Sequence, residues 1–509
     1  MRRQGGLRLS QSANGYQLPT SRAIKNQNFP GSIKQRSKSP LALPLFVVAK
    51  RLAKCIRQVP ALDLPAFRLV LAGPEHLPAL RLQQGDLRVP AFRSLRFPLY
   101  NLPVRVLLLN LYYPPDTSAT AQMAQTVVAA LAEKHDVTLL CGRPSYDPTE
   151  RRPWRLFQSE QSGRVRIVRV GSSDYPRTQM KKRVFNYLSY VFLAVPGALL
   201  LPCDVILAMT DPPFEGIVGA LVALLKGKPY VYNIRDLYPD MAVGGSIVKP
   251  GLFVRAWEKL HRWALRRATR VVVLGDDMRS RILAKGVDPS TVVVIRDGAE
   301  IAPSDASTPA LDAEVIRAIR GDFRFVLLHA GNLGFYGAWE TLLAGVSSLA
   351  ADGIGLVFVG DGAQRLRLET SAAQIPNVRF LPFFPGSKIP SVLAAADAHL
   401  ITVKRGLEGV VVPSKMYGIL AAGKPIVALA PRECDVGSIG EAKGFSISAD
   451  PDDPARFAQL VRQLSQNLET LQKMGKAALA AAPEYERSAE LRKLVNILED
   501  AAASRTRRK

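Results

Sequence analysis

Between Glu408 and Val427 the chain reads EGVVVPSKMYGILAAGKPIV: an acid in a Gly-bounded loop, a Pro-Ser-Lys triplet, then a short helix-compatible run. The run Met416 to Ala422 stops at Gly423, and a strand pattern restarts from Pro425 to Leu429. A loop feeding a helix N-terminus suits an anion, because the first backbone N–H groups lack partners and the helix dipole favours negative charge there. Ser414 is placed to cap that helix, and Lys415 to add a full positive charge beside a diphosphate. The same letters also describe an ordinary strand–loop–helix corner of an α/β domain. Other familiar chemistries are poorly served. His261, His329 and His399 have no partner at metal or triad spacing, and Asp450-Pro-Asp452 sits where a helix start is expected rather than at a strand end.

The elements that would position this corner are regular. From Val104 onward VRVLLLNLYY, HDVTLLCG, VRIVRVG, DVILAMT, PYVYNIRD and RVVVLG are short apolar runs rich in β-branched residues, mostly separated by helical stretches. Such alternation predicts a parallel sheet with helices on both faces. After the Pro- and Ser-containing break IRDGAEIAPSDASTPALD, the alternation resumes with RFVLLHAG, IGLVFVGDG, VRFLPF, AHLITV, PIVALA and GFSISAD. The expected architecture is α/β: two doubly wound Rossmann-like domains, 104–296 and 313–483, joined by a linker at 297–312, with the ligand in the cleft between their strand C-termini. A polar, helix-prone end, 484–500, is expected to pack back on the first domain.

Composition agrees with large folded cores: 509 residues, 48% hydrophobic. The 4 cysteines, Cys55, Cys141, Cys203 and Cys434, lie far apart, without zinc spacing or a disulfide framework, as suits a reducing cytosol. The formal charge of +25 is uneven, since residues 1–100 carry 17 Lys and Arg against Asp63, Glu75 and Asp86. That segment is Pro-studded and shows no sustained period, and it reads as a disordered extension or as sequence upstream of the native start. Its apolar run 41–49 is too far from the start for a signal peptide and too short to span a bilayer.

Several motifs in order resemble glycosyltransferase family 4, whose two-Rossmann architecture is called GT-B. HAGNLG at 329–334, VFVGDG at 357–362 and VVVPSKMYGILAAGKPIV at 410–427 are similar to its nucleotide-sugar domain. YYPPDTSATAQ at 112–122, TDPPF at 210–214 and RDLYPD at 235–240 resemble one branch, which includes transferases of colanic-acid-type exopolysaccharide and fucosamine-containing O-antigen. The likeness covers about 104–500. It implies a retaining transfer of sugar from a nucleotide-diphosphate donor, expected to be UDP-linked, to a polyprenyl-diphosphate-linked saccharide. No protein nucleophile is required, because the acceptor attacks on the face the diphosphate leaves.

The largest task in such a transfer is to stabilise charge on the departing diphosphate, by a metal or by helix N-termini with Lys or Arg. With no Asp-x-Asp on a strand end, no metal and no cofactor are expected. The resemblance points to Gly331, Asn332, Gly334, Asp361, Lys404, Arg405, Glu408, Ser414 and Lys415 as donor-binding residues. Asn332 stands where many relatives carry Arg, which moves the cationic role to Lys404 or Lys415. The paired glutamates common in the family correspond here to Val410 and Gly418, so Glu408 is displaced by two residues. Asp236 is the first candidate and Asp240 the second for a polar catalytic contact to the reacting sugar; either could instead cap a helix. Pro115, Asp116, Thr117 and Ser118 resemble the acceptor-facing loop, although their composition suits capping equally well.

Membrane contact is the remaining expectation. The segment Val184–Cys203 follows Lys181-Lys182-Arg183 and has transmembrane length, but it lies between two strands of one sheet and contains Pro196 and Gly197. It is expected to lie in the interface or be partly buried. In Leu252–Arg270, basic residues Arg255, Lys259, Arg262 and Arg266 recur beside an apolar face of Phe253, Trp257, Leu260 and Ala264, which suits anionic lipid and equally a core-facing helix with a solvated basic side. The expected protein is therefore a cytoplasmic enzyme on the inner face of a bacterial plasma membrane, without nucleic-acid binding. Its rivals are a GT-B sugar-nucleotide epimerase and, from another class, a basic nucleic-acid-binding protein.

Overall fold

The structure, a computed structural model, describes residues 103–145, 154–175, 180–301 and 310–504. The basic extension and residues 302–309 of the expected linker lie outside them.

The first domain is built on eight strands: β1 (Arg105–Leu109), β2 (Asp136–Cys141), β3 (Phe157–Ser162), β4 (Val165–Val170), β5 (Val205–Ala208), β6 (Tyr230–Asn233), β7 (Arg270–Val273) and β8 (Val292–Val294). Their order is β3-β4-β2-β1-β5-β6-β7-β8, parallel except for β3 against β4. The six anticipated runs are all strands. β3 and β8 are additional: β8 is only three residues, VVV, and the sequence FQSEQS of β3 is polar because it forms a solvated antiparallel edge, where no apolar run is needed. The central strands are buried on both faces and therefore read as unbroken apolar runs. Helices α1 (Ala119–Ala132), α2 (Met180–Leu200), α3 (Glu215–Lys226), α4 (Asp240–Gly244), α5 (Leu252–Arg267) and α6 (Asp276–Ala284) connect them.

The second domain has six parallel strands: β9 (Phe325–Ala330), β10 (Ile354–Val359), β11 (Val378–Leu381), β12 (Ala398–Thr402), β13 (Ile426–Leu429) and β14 (Ser446–Ala449), in the order β11-β10-β9-β12-β13-β14. Around them lie α7 (Ala313–Arg320), α8 (Trp339–Ser347), α9 (Arg365–Ser371), α10 (Ile389–Ala394), α11 (Lys415–Ala421), α12 (Asp435–Lys443), α13 (Pro454–Gln466) and α14 (Leu468–Ala481). The last helix, α15 (Arg487–Ser504), leaves this domain. Its Leu494, Val495, Leu498 and Ala501 are buried with Val106, Leu108, Val205 and Leu207 of the first sheet.

The order in which successive strands are laid down reverses at β1, flanked by β2 and β5, and at β9, flanked by β10 and β12. Crevices for ligands open at such switch points, beyond the strand C-termini. The domains meet beside them. Asp236 forms an isolated antiparallel bridge with Val411, and Leu237 N donates to Val410 O at 3.0 Å. Helices α6 and α12 cap each other across the boundary. The Asp435 carboxylate accepts from Asp276 N (3.0 Å) and Asp277 N (3.1 Å), while that of Asp277 accepts from Asp435 N (3.3 Å).

Candidate active site

The second-domain half begins where β9 ends. Gly331 (φ 137°) and Gly360 (φ 150°) let the loops after β9 and β10 touch: a Cβ on Gly360 would lie 2.0 Å from Gly331 O. Leu333 N donates to Asp361 O at 2.9 Å, so the turn bearing Asp361 fixes the Gly331–Gly334 loop through its backbone. Its carboxylate accepts from Gly362 N and is exposed.

Lys415, the first residue of α11, reaches this loop. Its Nζ lies 3.0 Å from His329 Nε2, and a Cβ on Gly331 would come within 3.4 Å of it. Burial drops the Lys415 ammonium to about 7. His329, fully buried beside it, is driven well below the ordinary imidazole value, first by burial and then by Lys415. A neutral imidazole thus accepts from a cation that titrates near neutrality. Lys404 is half-buried; its backbone N–H donates to Tyr336 O at 2.7 Å, and its ammonium has no partner among the described residues. The corner gathers Gly331, Asn332, Gly334 and Lys415, with Lys404 anchored to the same loop through Tyr336.

Three expected donor residues are engaged otherwise. Arg405 pairs with Asp450 at 2.6 Å and Asp452 at 2.6 Å on the loop after β14, exposed and committed. Glu408 accepts from Gly406 N at 2.7 Å and meets Arg281 of α6 at 3.4 Å, which makes it part of the domain contact. Ser414 stands at the N-cap of α11 in helical backbone (φ −57°, ψ −18°), and its side chain makes no cap bond; a capping hydroxyl needs an extended residue. Val410 is buried and Gly418 lies within α11, so neither glutamate position of the family offers a carboxylate.

Across the cleft, Asp236 is half-buried at the end of β6. Burial first, and the Asp211 carboxyl next, push it up to about 6. Asp211, in the TDPPF turn after β5, is itself raised by burial and held by Thr120. Sequence reasoning named that motif without giving Asp211 a role. Arg183 of α2 donates to Tyr112 Oη at 3.1 Å and Tyr187 Oη at 2.7 Å beside this group. Arg235 is held bidentately by Asp297, at 2.5 and 2.6 Å.

Asp240 does not join them. It begins α4, but its carboxylate binds Lys285 at 2.7 Å, and the same ammonium binds Glu258 at 2.8 Å. A buried ammonium requires such partners, which explains Asp240 without a catalytic role. In the loop after β1, Ser118 caps α1 by accepting from Ala121 N at 3.1 Å, and the buried Asp116 accepts from Ser145 N at 2.9 Å. Pro115 and Thr117 leave surface open at the same switch point.

Two family descriptions match this chain, one on each domain. "Glycosyl transferase 4-like domain" matches residues 118–298, and "Glycosyl transferases group 1" matches residues 324–467. The chain belongs to the family 4 glycosyltransferases. This glycosyltransferase is 27% identical over 301 residues to WbjE of Pseudomonas aeruginosa, named as a glycosyltransferase, covering 57% of this chain and 74% of that protein. It is 24% identical over 378 residues to WcaI of Escherichia coli (strain K12), named as a colanic acid biosynthesis glycosyl transferase, covering 71% and 92%. Sucrose-phosphate synthase from Thermosynechococcus elongatus matches with a TM-score of 0.60 at 14% identity, over 79% of this chain and 100% of that one. HepE of Anabaena, solved with UDP-glucose, matches with 0.54 at 16% identity, over 77% and 98%. These likenesses establish the GT-B fold.

Proposed function

We propose that this glycosyltransferase moves a sugar from a UDP-linked donor to a lipid-linked saccharide in bacterial surface polysaccharide assembly, with retention and without a metal. The observation that carries this is the facing pair: Lys415 against the Gly331 loop on one domain, the raised carboxyl of Asp236 on the other. The donor diphosphate lies on the Gly331–Gly334 loop, between Lys404 and Lys415. As the bond from the anomeric carbon to the diphosphate oxygen breaks, the acceptor oxygen bonds from the same face. Its proton passes to the departing diphosphate, and Asp236 orients the acceptor hydroxyl by accepting its hydrogen bond. A UDP donor is supported by HepE, solved with UDP-glucose, and a polysaccharide role by the name of WcaI. Metal independence is supported by the commitment of Asp450 and Asp452 to Arg405. Chelation should leave turnover unchanged; loss of activity in chelator restored by a divalent cation would refute that part.

The reading extends to a peripheral site on the inner membrane surface. Helix α2 turns Tyr190, Ala194 and Ala198 into the core and exposes Phe185, Leu188, Phe192 (78% exposed) and Leu200 (81%). It packs on α3, which exposes Leu221, Leu224 and Leu225, and α3 packs on α5. In α5, Trp257 and Ala264 are buried while Phe253 and Leu260 are exposed beside Arg255, Lys259 and Arg262. An apolar face with a basic margin suits an anionic bilayer surface. Because α2 is packed on its own domain, it fits a helix lying against the membrane better than one crossing it.

A further inference from the structure

Arg183 is the fourth residue of α2 and is half-buried. It donates to two phenols, Tyr112 and Tyr187, and among the described residues no carboxylate lies within ion-pair distance. A guanidinium has five N–H donors, so two neutral acceptors leave most of them uncommitted. Withdrawing a cation partly from water without an anionic partner is costly. Other cations of this domain differ. Arg235 has both oxygens of Asp297, and Lys285 has Asp240 and Glu258. Asp211, the nearest acid in the cluster, bonds Thr120 and acts on Arg183 only at longer range.

Position supplies the second observation. Arg183 sits at the β1/β5 switch point with Asp211 and Asp236. It also begins the helix whose solvent face carries Phe185, Leu188 and Phe192, with Lys182 exposed next to it. Phe192 lies nine residues on, about 14 Å along the helix axis. A hydrocarbon chain lying on that face would end at Arg183, and whatever followed its polar end would enter the cleft toward Asp236.

We propose that Arg183, oriented by the hydroxyls of Tyr112 and Tyr187, is the anion subsite for the acceptor, binding the phosphate of a prenyl-diphosphate-linked saccharide whose lipid runs along α2. This rests on the glycosyl-transfer reading above. Arginine suits the task because its planar fork takes two phosphate oxygens at once. A phospholipid headgroup offers similar chemistry, so the test must separate the two sources.

Farnesyl diphosphate is titrated calorimetrically into the full chain with UDP saturating, which fills the donor site, for wild type, Arg183→Gln, Arg183→Lys and Tyr187→Phe. The expected result is at least a tenfold loss of farnesyl diphosphate affinity in Arg183→Gln, smaller losses in the other two, and unchanged UDP affinity in all. Equal affinity in folded Arg183→Gln would overturn the assignment. Should that variant not fold, unchanged affinity in both Arg183→Lys and Tyr187→Phe would do so. Flotation with vesicles of phosphatidylcholine alone or with phosphatidylglycerol separates the sources. Arg183→Gln should bind both as wild type does; loss confined to phosphatidylglycerol vesicles would reassign Arg183 to the bilayer. Failure of the wild type to bind UDP would count instead against the glycosyl-transfer reading, and the subsite would fall with it.

Discussion

At the scale of residues, the account turns on two groups held away from their ordinary ionisation. Lys415 sits near 7 and Asp236 near 6, one because its charge is desolvated, the other because burial and Asp211 disfavour its anion. Donor binding needs the ammonium charged, so UDP affinity should fall as pH rises above about 7. Acceptor orientation needs the carboxylate ionised, so turnover should rise with pH through about 6. A narrow bell in kcat/KM between those limits is the expected profile, and a plateau from pH 5 to 9 would contradict it. Lys415→Gln should weaken UDP by about tenfold, roughly 1.4 kcal/mol, and flatten the alkaline fall. Arg405→Ala should leave UDP binding unchanged, since that guanidinium is already paired; isothermal titration of both variants checks this. Lys415 and the Gly331 loop were legible because adjacent letters carry the chemistry. The commitment of Arg405 to Asp450 and Asp452 was not, because those partners lie 45 and 47 residues away and meet it only through the fold. Asp211 and Arg183 escaped for the same reason: the turn after β5 and the first turn of α2 meet only through the fold.

At the scale of elements, helix ends do much of the positioning. Ser118 fixes the start of α1 after the loop of Pro115 and Asp116, and Ser118→Ala should cost about 1 kcal/mol in urea unfolding. On the face of α2, Phe192→Asp should reduce flotation with anionic vesicles while leaving the melting temperature within a few degrees, because that ring touches little of the core. Full retention of vesicle binding by this variant would remove the membrane proposal. Buried parallel strands were legible as unbroken apolar runs. β3 was not, because an antiparallel edge exposes polar residues and carries no such run. The faces of α5 were half legible: its repeat groups Phe253, Trp257, Leu260 and Ala264 on one apolar face, and only the packing separates buried Trp257 and Ala264 from exposed Phe253 and Leu260.

At the scale of the molecule, two sheets present switch points to each other and are tied at one side by the reciprocal caps of α6 and α12. Burial first, then Asp435, push Asp277 up to about 6, so this contact carries a carboxyl that costs energy to ionise. Its folded value lies above the ordinary carboxylate value; the stability it contributes is complete at acid pH and is lost as pH rises through about 6. The first core closes only when α15 returns from the far domain. A chain ending at residue 486 would leave Val106, Leu108 and their neighbours uncovered. Burying Leu494, Val495 and Leu498 is worth about 1.5–3 kcal/mol each, a sum comparable to a domain's whole stability. That truncation should abolish cooperative thermal unfolding, as calorimetry would read.

The most direct test is transfer itself. The purified full chain is incubated with sugar-labelled UDP-sugars and a bacterial lipid extract. Label should move from one donor into the lipid fraction, and Lys415→Gln should reduce that movement at sub-saturating donor. An epimerised free sugar nucleotide, with no labelled lipid product from any donor, would contradict the account.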